Sequence, residues 1–434
     1  MEIKNLNMKF DHPAWSYDTN IYEVNVRQYT ADGTFTAFKK HLPRLREMGV
    51  EVLWFMPVTP ISSKGRKGSL GSYYAVQNYK EVNPEFGLLQ DFVDLVKYAH
   101  ELGFKIIIDW VANHTGNDNI WIEEHPDFFS YNDSNEIIHP NGWEDVSKLN
   151  FDNEYMVAAM IDAMKYWITI CDIDGFRCDM AHLVPLEFWK KAGTELEMYK
   201  SNLFWLAECE EANYHEVFDA TYTWHWMHAT EEFFKKQIDL NGLLAVLLGY
   251  ENSFPKDALR VYFTSNHDEN SWNGTEYEKY GDAAKAFAVF SCMWNGIPMI
   301  YSGQELPNFK RLHFFDKDEI EWKEKCGLDE FYTTLLLLRK TNSALRAADA
   351  NLVTHKIETT ANDKIFAFIR KNEKDEVFVI INLSDEKIEH DISDPLLTGI
   401  FINVFTKEKI DLYKKQNMEL QPWDYRVYEK EKAL

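Results

Sequence analysis

The chain has 434 residues, enough for one large domain and one or two small ones. Its net charge of −24 argues against nucleic acid and anionic lipid as partners, because both need a basic face. An apolar fraction of 45% and a charged fraction of 27% are those of a soluble globular protein, and no uninterrupted apolar run is long enough to span a bilayer.

The N-terminal stretch MEIKNLNMKFDHPAWSYD has no apolar h-region, so no signal peptide is expected and the cytoplasm is the expected compartment. IYEVNV (21–26) reads as a strand. FTAFKKHLPRLREMG (35–49) has apolar residues at helical spacing and stops at Gly49. VEVLWFMPV (50–58) is the next strand, and LLQDFVDLVKYAHELG (88–103) is an amphipathic helix that again ends in glycine. FKIIIDWV (104–111) is continuously apolar, as a strand buried on both faces must be. EYMVAAMIDAMKYWITI (154–170) is helical and feeds DIDGFRCD. LFWLAE (203–208), VFDATYT (217–223), LRVYFTSN (259–266) and IPMIYSG (297–303) complete eight strand candidates, most of them separated by a helix. This alternation predicts a parallel sheet, and eight units suit a (β/α)8 TIM barrel better than an open doubly wound sheet.

Two stretches break the rhythm. Residues 115–148 are polar and turn-rich, too long for an ordinary connection, and predict a functional insertion or small subdomain. After about residue 346 the helices stop; DKIFAFIRK, EVFVIINLS, GIFINVFT and DYRVYEK alternate apolar and polar residues and predict a separate antiparallel β-domain. The expected organisation is therefore barrel (1–114), insertion (115–150), barrel again (151–346) and a C-terminal β-sandwich (347–434). Cys171, Cys178, Cys209, Cys292 and Cys326 are odd in number, scattered and without a CxxC pair, which suggests buried free thiols in a reducing compartment.

In such a barrel, chemistry gathers at the C-terminal ends of the strands. Strand three ends in Asp109, with Asn113 and His114 beyond; strand four in Arg177 and Asp179; strand five in Glu208; strand seven in Asn266, His267 and Asp268. Any one of these is what a solvated loop also looks like. Four converging on one rim suit either a metal or a glycosidic bond. The metal reading lacks a ligand set, since His114, His182 and His267 form no HxH or HxxxH pair. Glycoside hydrolysis needs an ionised carboxylate and a protonated one, with pKa values driven apart. Arg177 beside Asp179 is expected to keep that carboxylate ionised, while burial and neighbouring negative charge raise Glu208. Aromatics at 15% serve equally as core or as sugar-stacking surfaces.

DWVANH (109–114), DGFRCDMAH (174–182), WLAE (205–208) and FTSNHD (263–268) together resemble the four signatures of the α-amylase family of glycoside hydrolases, in order and at the family's spacing. SYYAVQNYKEVNPEFG (72–87) and GIPMIYSGQE (296–305) extend the resemblance over nearly the whole chain, including the insertion and the terminal sandwich. The resemblance implies that Asp179 is the nucleophile, Glu208 the general acid/base and Asp268 the third carboxylate at the transition state. It implies that Arg177 orients Asp179, that His114 and His267 hydrogen-bond the sugar at the cleavage subsite, that Tyr74 is the aromatic platform beneath it, and that Asp109 braces the site. The implied substrate is an α-1,4-glucan, a maltodextrin or starch-derived oligosaccharide, cleaved with retention; an α-glucosidase, a cyclomaltodextrinase or neopullulanase, or an α-glucanotransferase would share the intermediate. A catalytically dead binding subunit is disfavoured, since all three carboxylates and both histidines are present.

The departures also carry meaning. His182 stands alone where the family often has Lys-His, and SKLN (147–150) replaces the usual PDLN, so that Lys148 occupies the position of a calcium-binding aspartate. The related PKLN form is typical of the neopullulanase and cyclomaltodextrinase branch. The stretch YTADGTFTAF has too few carboxylates for a calcium cage, and Asn113 alone does not make one. No cofactor and no calcium at the usual site are expected. Asn78 replaces a usual aspartate, Arg311 is either a sugar contact or a surface residue, and Trp110 and Trp143 are either core or stacking surfaces. The short insertion suggests an open cleft and mildly favours endo-cleavage, and the protein is expected to be a monomer.

Overall fold

The computed structural model describes residues 12–432; residues 1–11, which open the stretch read above for a leader, and residues 433–434, the end of the stretch assigned to the sandwich, lie outside it. The strands, in chain order, are β1 (Ile21–Val24), β2 (Val52–Phe55), β3 (Lys105–Trp110), β4 (His114–Gly116), β5 (Val146–Lys148), β6 (Gly175–Cys178), β7 (Phe204–Ala207), β8 (Ala220–Tyr222), β9 (Leu259–Tyr262) and β10 (Ile297–Tyr301). Eight of them close into a parallel barrel in the order β1-β10-β9-β8-β7-β6-β3-β2. Their short apolar runs are almost wholly buried, because helices cover the outside and packed side chains fill the inside. β4 and β5 pair antiparallel as a small ribbon at the root of the insertion.

Local signals set the helix ends. Gly49 closes the helix Leu42–Met48 at φ 96°, a conformation that favours glycine. The helix Leu89–Glu101 begins where the Asp91 carboxylate accepts the Leu88 N–H at 2.7 Å. The single helix expected over 35–49 is instead two, Phe35–Lys39 and Leu42–Met48. Pro43 sits in the first turn of the second helix; its missing N–H costs nothing there, but would interrupt the interior of a longer helix.

The C-terminal strands are β11 (Val353–Ile357), β12 (Ile365–Lys371), β13 (Glu376–Asn382), β14 (Ile388–Ile392), β15 (Ile400–Asn403), β16 (Lys409–Asp411), β17 (Gln416–Leu420) and β18 (Tyr425–Lys430). Six form an antiparallel sheet, β11-β12-β13-β18-β15-β16, and β14 pairs with β17 in a second, small sheet. Ile365, Ala367, Ile369, Phe378 and Ile380 face Ile392, Met418 and Leu420 in one core. Arg370 of β12, fully buried, fixes this unit to the barrel: it donates to the carbonyls of Trp294 (3.0 Å), Leu345 (3.3 Å) and Arg346 (2.6 Å) and to Asn295 Oδ1 (3.3 Å). The five cysteines are free thiols, Cys326 half-buried and the others buried. Among the described residues no helix is long and apolar enough to cross a membrane.

Candidate active site

The carboxylates meet because their strands are neighbours. β3, β6 and β7 run side by side, with Asp109 in register with Arg177 and Arg177 in register with Leu206. Asp109 and Arg177 lie within strands, whereas Asp179 and Glu208 are the first residues beyond β6 and β7. Arg177 is fully buried. Its Nη1 donates to Asp109 Oδ1 at 2.8 Å and to Asp179 Oδ1 at 3.2 Å, and its Nη2 lies 3.0 Å from Glu208 Oε2. Its Cζ stands 4.8 Å from the centre of the Trp54 ring, which supports the guanidinium from beneath the cleft.

This arrangement corrects one expectation. Arg177 does not serve Asp179 alone; it is divided among three carboxylates, and Asp179 has the longest of the three contacts. Burial, and next the Glu208 charge, push the Asp179 carboxyl well above the ordinary range. Burial also raises Glu208, against the pull of Arg177. Both carboxyls are thus displaced upward and titrate as a coupled pair, instead of being driven apart by Arg177. Glu208 is further held by the Met180 N–H, which donates to Oε2 at 2.8 Å. Met180 takes a left-handed backbone (φ 41°), unusual for a residue with a side chain and of the kind that clusters at functional sites.

Asp268 lies six residues beyond the end of β9, at the start of a helical turn, and faces the cleft with its side chain 40% exposed. Desolvation would raise its carboxyl, but the adjacent His267 outweighs that and holds it below the ordinary range. His267 Nδ1 donates to Glu23 Oε1 at 2.5 Å, and Nε2 reaches the Tyr74 hydroxyl at 2.8 Å and Asp268 Oδ2 at 3.3 Å. Burial alone would lower this imidazole; Asp268 and Glu23 raise it well above its usual value, so it is a doubly donating cation. Tyr74 donates onward to Asp109 Oδ2 at 2.9 Å and its ring stacks on His267 (5.5 Å, 22°) and Phe314 (6.3 Å, 16°). His114 is the opposite case. Burial lowers it to about 4, so it is neutral; the Asn113 amide lies 3.1 Å from Nδ1 and can donate to it, which leaves Nε2–H as the donor, with the Tyr74 backbone as a partner.

Asp179, Glu208, Asp268, Tyr74 and His114 all line one cleft of about 440 Å³, with Arg177 and His267 bonded directly behind them. The structure thus brings every candidate site residue together. It places the undecided residues as well: Trp143 lines the cleft and meets His114 edge-on, whereas Trp110 is core, packed on Tyr79 and Phe176. Arg311 is a surface residue paired with Glu278 at 2.8 Å. Asn78 caps a local turn by accepting the Lys80 N–H. Among the described residues no three His, Cys, Asp or Glu side chains are grouped to hold a metal ion, and Lys148 is exposed.

Sequence reasoning missed Glu23, the buried partner of His267; its signal was a lone carboxylate inside the apolar run IYEV. It also missed Lys67, Asp145, Phe314 and Phe315, which line the cleft from loops, and Trp272, which lines it from one short helical turn, none with a periodic signal.

A closed (β/α)8 barrel that gathers carboxylates, an arginine and an aromatic platform at its strand ends defines a barrel glycoside hydrolase. The sequence matches the alpha-amylase catalytic domain over residues 15–363 and the maltogenic amylase C-terminal domain over residues 358–427. The chain belongs to the alpha-amylase family. The curated relatives include "Alpha-amylase MalA" of Haloarcula japonica (27% identical, covering 87% of this chain and 57% of that protein) and "Alpha-amylase 2" of Dictyoglomus thermophilum (24%, 87% and 71%). The chain thus spans little more than half the length of the first. Among solved structures, an alpha-amylase from Lactobacillus plantarum is 26% identical with a TM-score of 0.86, covering 96% of this chain and 99% of that one. A noncanonic maltogenic alpha-amylase, AmyB from Thermotoga neapolitana, shares the fold at 24% identity and a TM-score of 0.87, with the same coverage.

Proposed function

We propose that this chain is a retaining hydrolase of α-1,4-glucosidic bonds in maltodextrins and starch-derived oligosaccharides, acting by double displacement. The observation that carries this reading is the joint presence of Asp179, Glu208 and Asp268 on one cleft, with two of them sharing one buried guanidinium. Curated relatives named alpha-amylase, cyclomaltodextrinase and maltogenic alpha-amylase support the substrate class.

In the first step an Asp179 oxygen bonds to the anomeric carbon while Glu208 gives its proton to the departing glycosidic oxygen, leaving a glycosyl-enzyme and a sugar with a free hydroxyl. This step requires Asp179 ionised and Glu208 protonated once substrate is bound. In the second step Glu208 takes a proton from water, the water oxygen bonds to the anomeric carbon, and Asp179 leaves as carboxylate. Two inversions give retention. Tyr74 stacks under the ring, neutral His114 faces its hydroxyls from the cleft wall, and Asp268, held ionised by His267 behind it, accepts from the sugar hydroxyls and stabilises the oxocarbenium-like charge.

Asp179→Asn tests the nucleophile: reducing-sugar release from maltoheptaose falls by about 10⁴-fold or more, the scale of losing the attacking group. Activity near that of the native protein in this variant refutes the assignment. Parallel assays on soluble starch, cyclodextrin and pullulan, with products separated by length, distinguish hydrolysis from transfer. The reading extends to no calcium requirement, supported by Lys148 and by the engagement of Asn113 with His114; activity then survives dialysis against EDTA. Five unpaired thiols support a reducing compartment, and a monomer is the state we assign, to be checked by light scattering.

A further inference from the structure

The segment after β2, SSKGRKGSLGS (62–72), is tied on both sides. On one side Asp118 of the insertion accepts the Ser63 N–H (2.9 Å), the Ser63 hydroxyl (2.6 Å) and the Lys64 N–H (3.2 Å), and Lys67 Nζ lies 2.7 Å from Asp145 Oδ1. On the other side Asp316 Oδ1 accepts the Ser69 N–H (2.7 Å) and hydroxyl (2.6 Å), and the Leu70 N–H donates to the Phe315 carbonyl at 2.9 Å. Gly68, at φ 62°, passes so close that a Cβ there would meet the Phe315 side chain at 2.5 Å. The segment is therefore a strap joining the insertion to the loop after β10. Lys67 and its partner Asp145, with Phe315 at the other anchor, are themselves cleft walls.

The other end of the cleft differs. Met180 and Glu208 are shared with a second cavity of about 330 Å³, lined also by His182, Glu211 and Trp224, so the space continues past Glu208. The group that protonates the departing oxygen lies on the leaving-group side. The strap therefore crosses the donor side, beyond Tyr74 and Trp143.

We infer that the 62–72 strap, locked by the Lys67–Asp145 ion pair, closes the donor end of the cleft. The enzyme then removes short maltooligosaccharides from non-reducing chain ends and does not cut within a polymer. This rests on the hydrolase reading above, and it reverses the preference for endo-cleavage that a short insertion suggests. A cleft of about 440 Å³ takes a ligand the size of a di- or trisaccharide.

The test uses the full chain and two maltoheptaoses, one unmodified and one carrying a benzylidene acetal on its non-reducing end, with products followed by chromatography. The inference expects one dominant short product from the free substrate. It expects cleavage of the blocked one to be slower by roughly 100-fold, the order a pocket achieves against an oversized group. Equal rates with mixed products overturn it. Failure to cleave either substrate instead sinks the hydrolase reading itself. Lys67→Ala, its fold checked by circular dichroism, narrows the gap between the substrates severalfold; an unchanged gap overturns the part assigned to Lys67. The native comparison decides the closure even if the variant does not fold.

Discussion

Arg177 shows how one side chain sets the state of a whole site. Its single charge is shared among Asp109, Asp179 and Glu208, all nearly buried. Replacing it with Ala leaves these carboxylates crowded and unpaired, so Arg177→Ala loses about 3–5 kcal/mol of stability at neutral pH. The sign of the pH dependence follows from the direction of the shifts. The three carboxyls are already raised in the folded protein, and removing the guanidinium raises them further. Groups whose folded pKa exceeds the unfolded value favour folding below the latter, roughly 4, and that contribution is lost as pH rises through the folded pKa. The deficit of Arg177→Ala relative to the native chain is therefore largest near pH 7 and shrinks toward pH 4, as urea unfolding at several pH values will show; a pH-independent deficit contradicts this.

Among the elements, the turn after β9 deserves its own test because it carries Asp268. Residues Glu269–Asn273 form one wide helical turn; the Glu269 N–H donates to Asn266 Oδ1 at 2.8 Å, and Trp272 Nε1 donates to Asp268 Oδ1 at 3.2 Å. Lys279, from the short helix Glu276–Tyr280, meets Glu269 Oε2 at 2.5 Å, both side chains almost fully buried. This pair holds the turn against the barrel, and Lys279 is a positioning residue for Asp268. Lys279→Met strands a buried carboxylate and costs about 3–5 kcal/mol, whereas the double variant Glu269→Gln/Lys279→Met recovers most of that loss. Steady-state kinetics on the double variant separates the roles: displacement of Asp268 lowers kcat more than it changes KM, while a purely structural pair leaves kcat intact.

At the scale of the whole molecule, Arg370 crosses a seam that is itself apolar: Phe366, Phe368, Val377 and Val379 of the six-stranded sheet pack into the barrel's core against Phe290 and Trp294, while the sheet's other face has a core of its own. Burial pushes its guanidinium down to about 9, and Arg339 nearby adds to this, yet its partners are carbonyl and amide oxygens rather than carboxylates. Arg370→Met leaves several buried carbonyls without a donor, each costing about 1–3 kcal/mol. Calorimetry then shows a lowered midpoint within a single transition, since the shared apolar seam keeps the two units coupled; an unchanged midpoint contradicts the bridge. Much of this architecture was legible beforehand. The continuously apolar strands, the glycine helix stops and the charges at strand ends are short-range patterns, and a strand end placed on a closed parallel barrel has one rim to occupy. Glu23, the division of Arg177 among three acids and the Lys67–Asp145 lock were not legible, since each depends on which side chains from distant segments come within a few ångströms. By itself the sequence determined the barrel, the sandwich and the family, because burial periodicity and strand-end chemistry are written locally. The tertiary structure alone decided which carboxylates share a charge and which end of the cleft is shut, because electrostatic coupling and steric closure depend on distance through space.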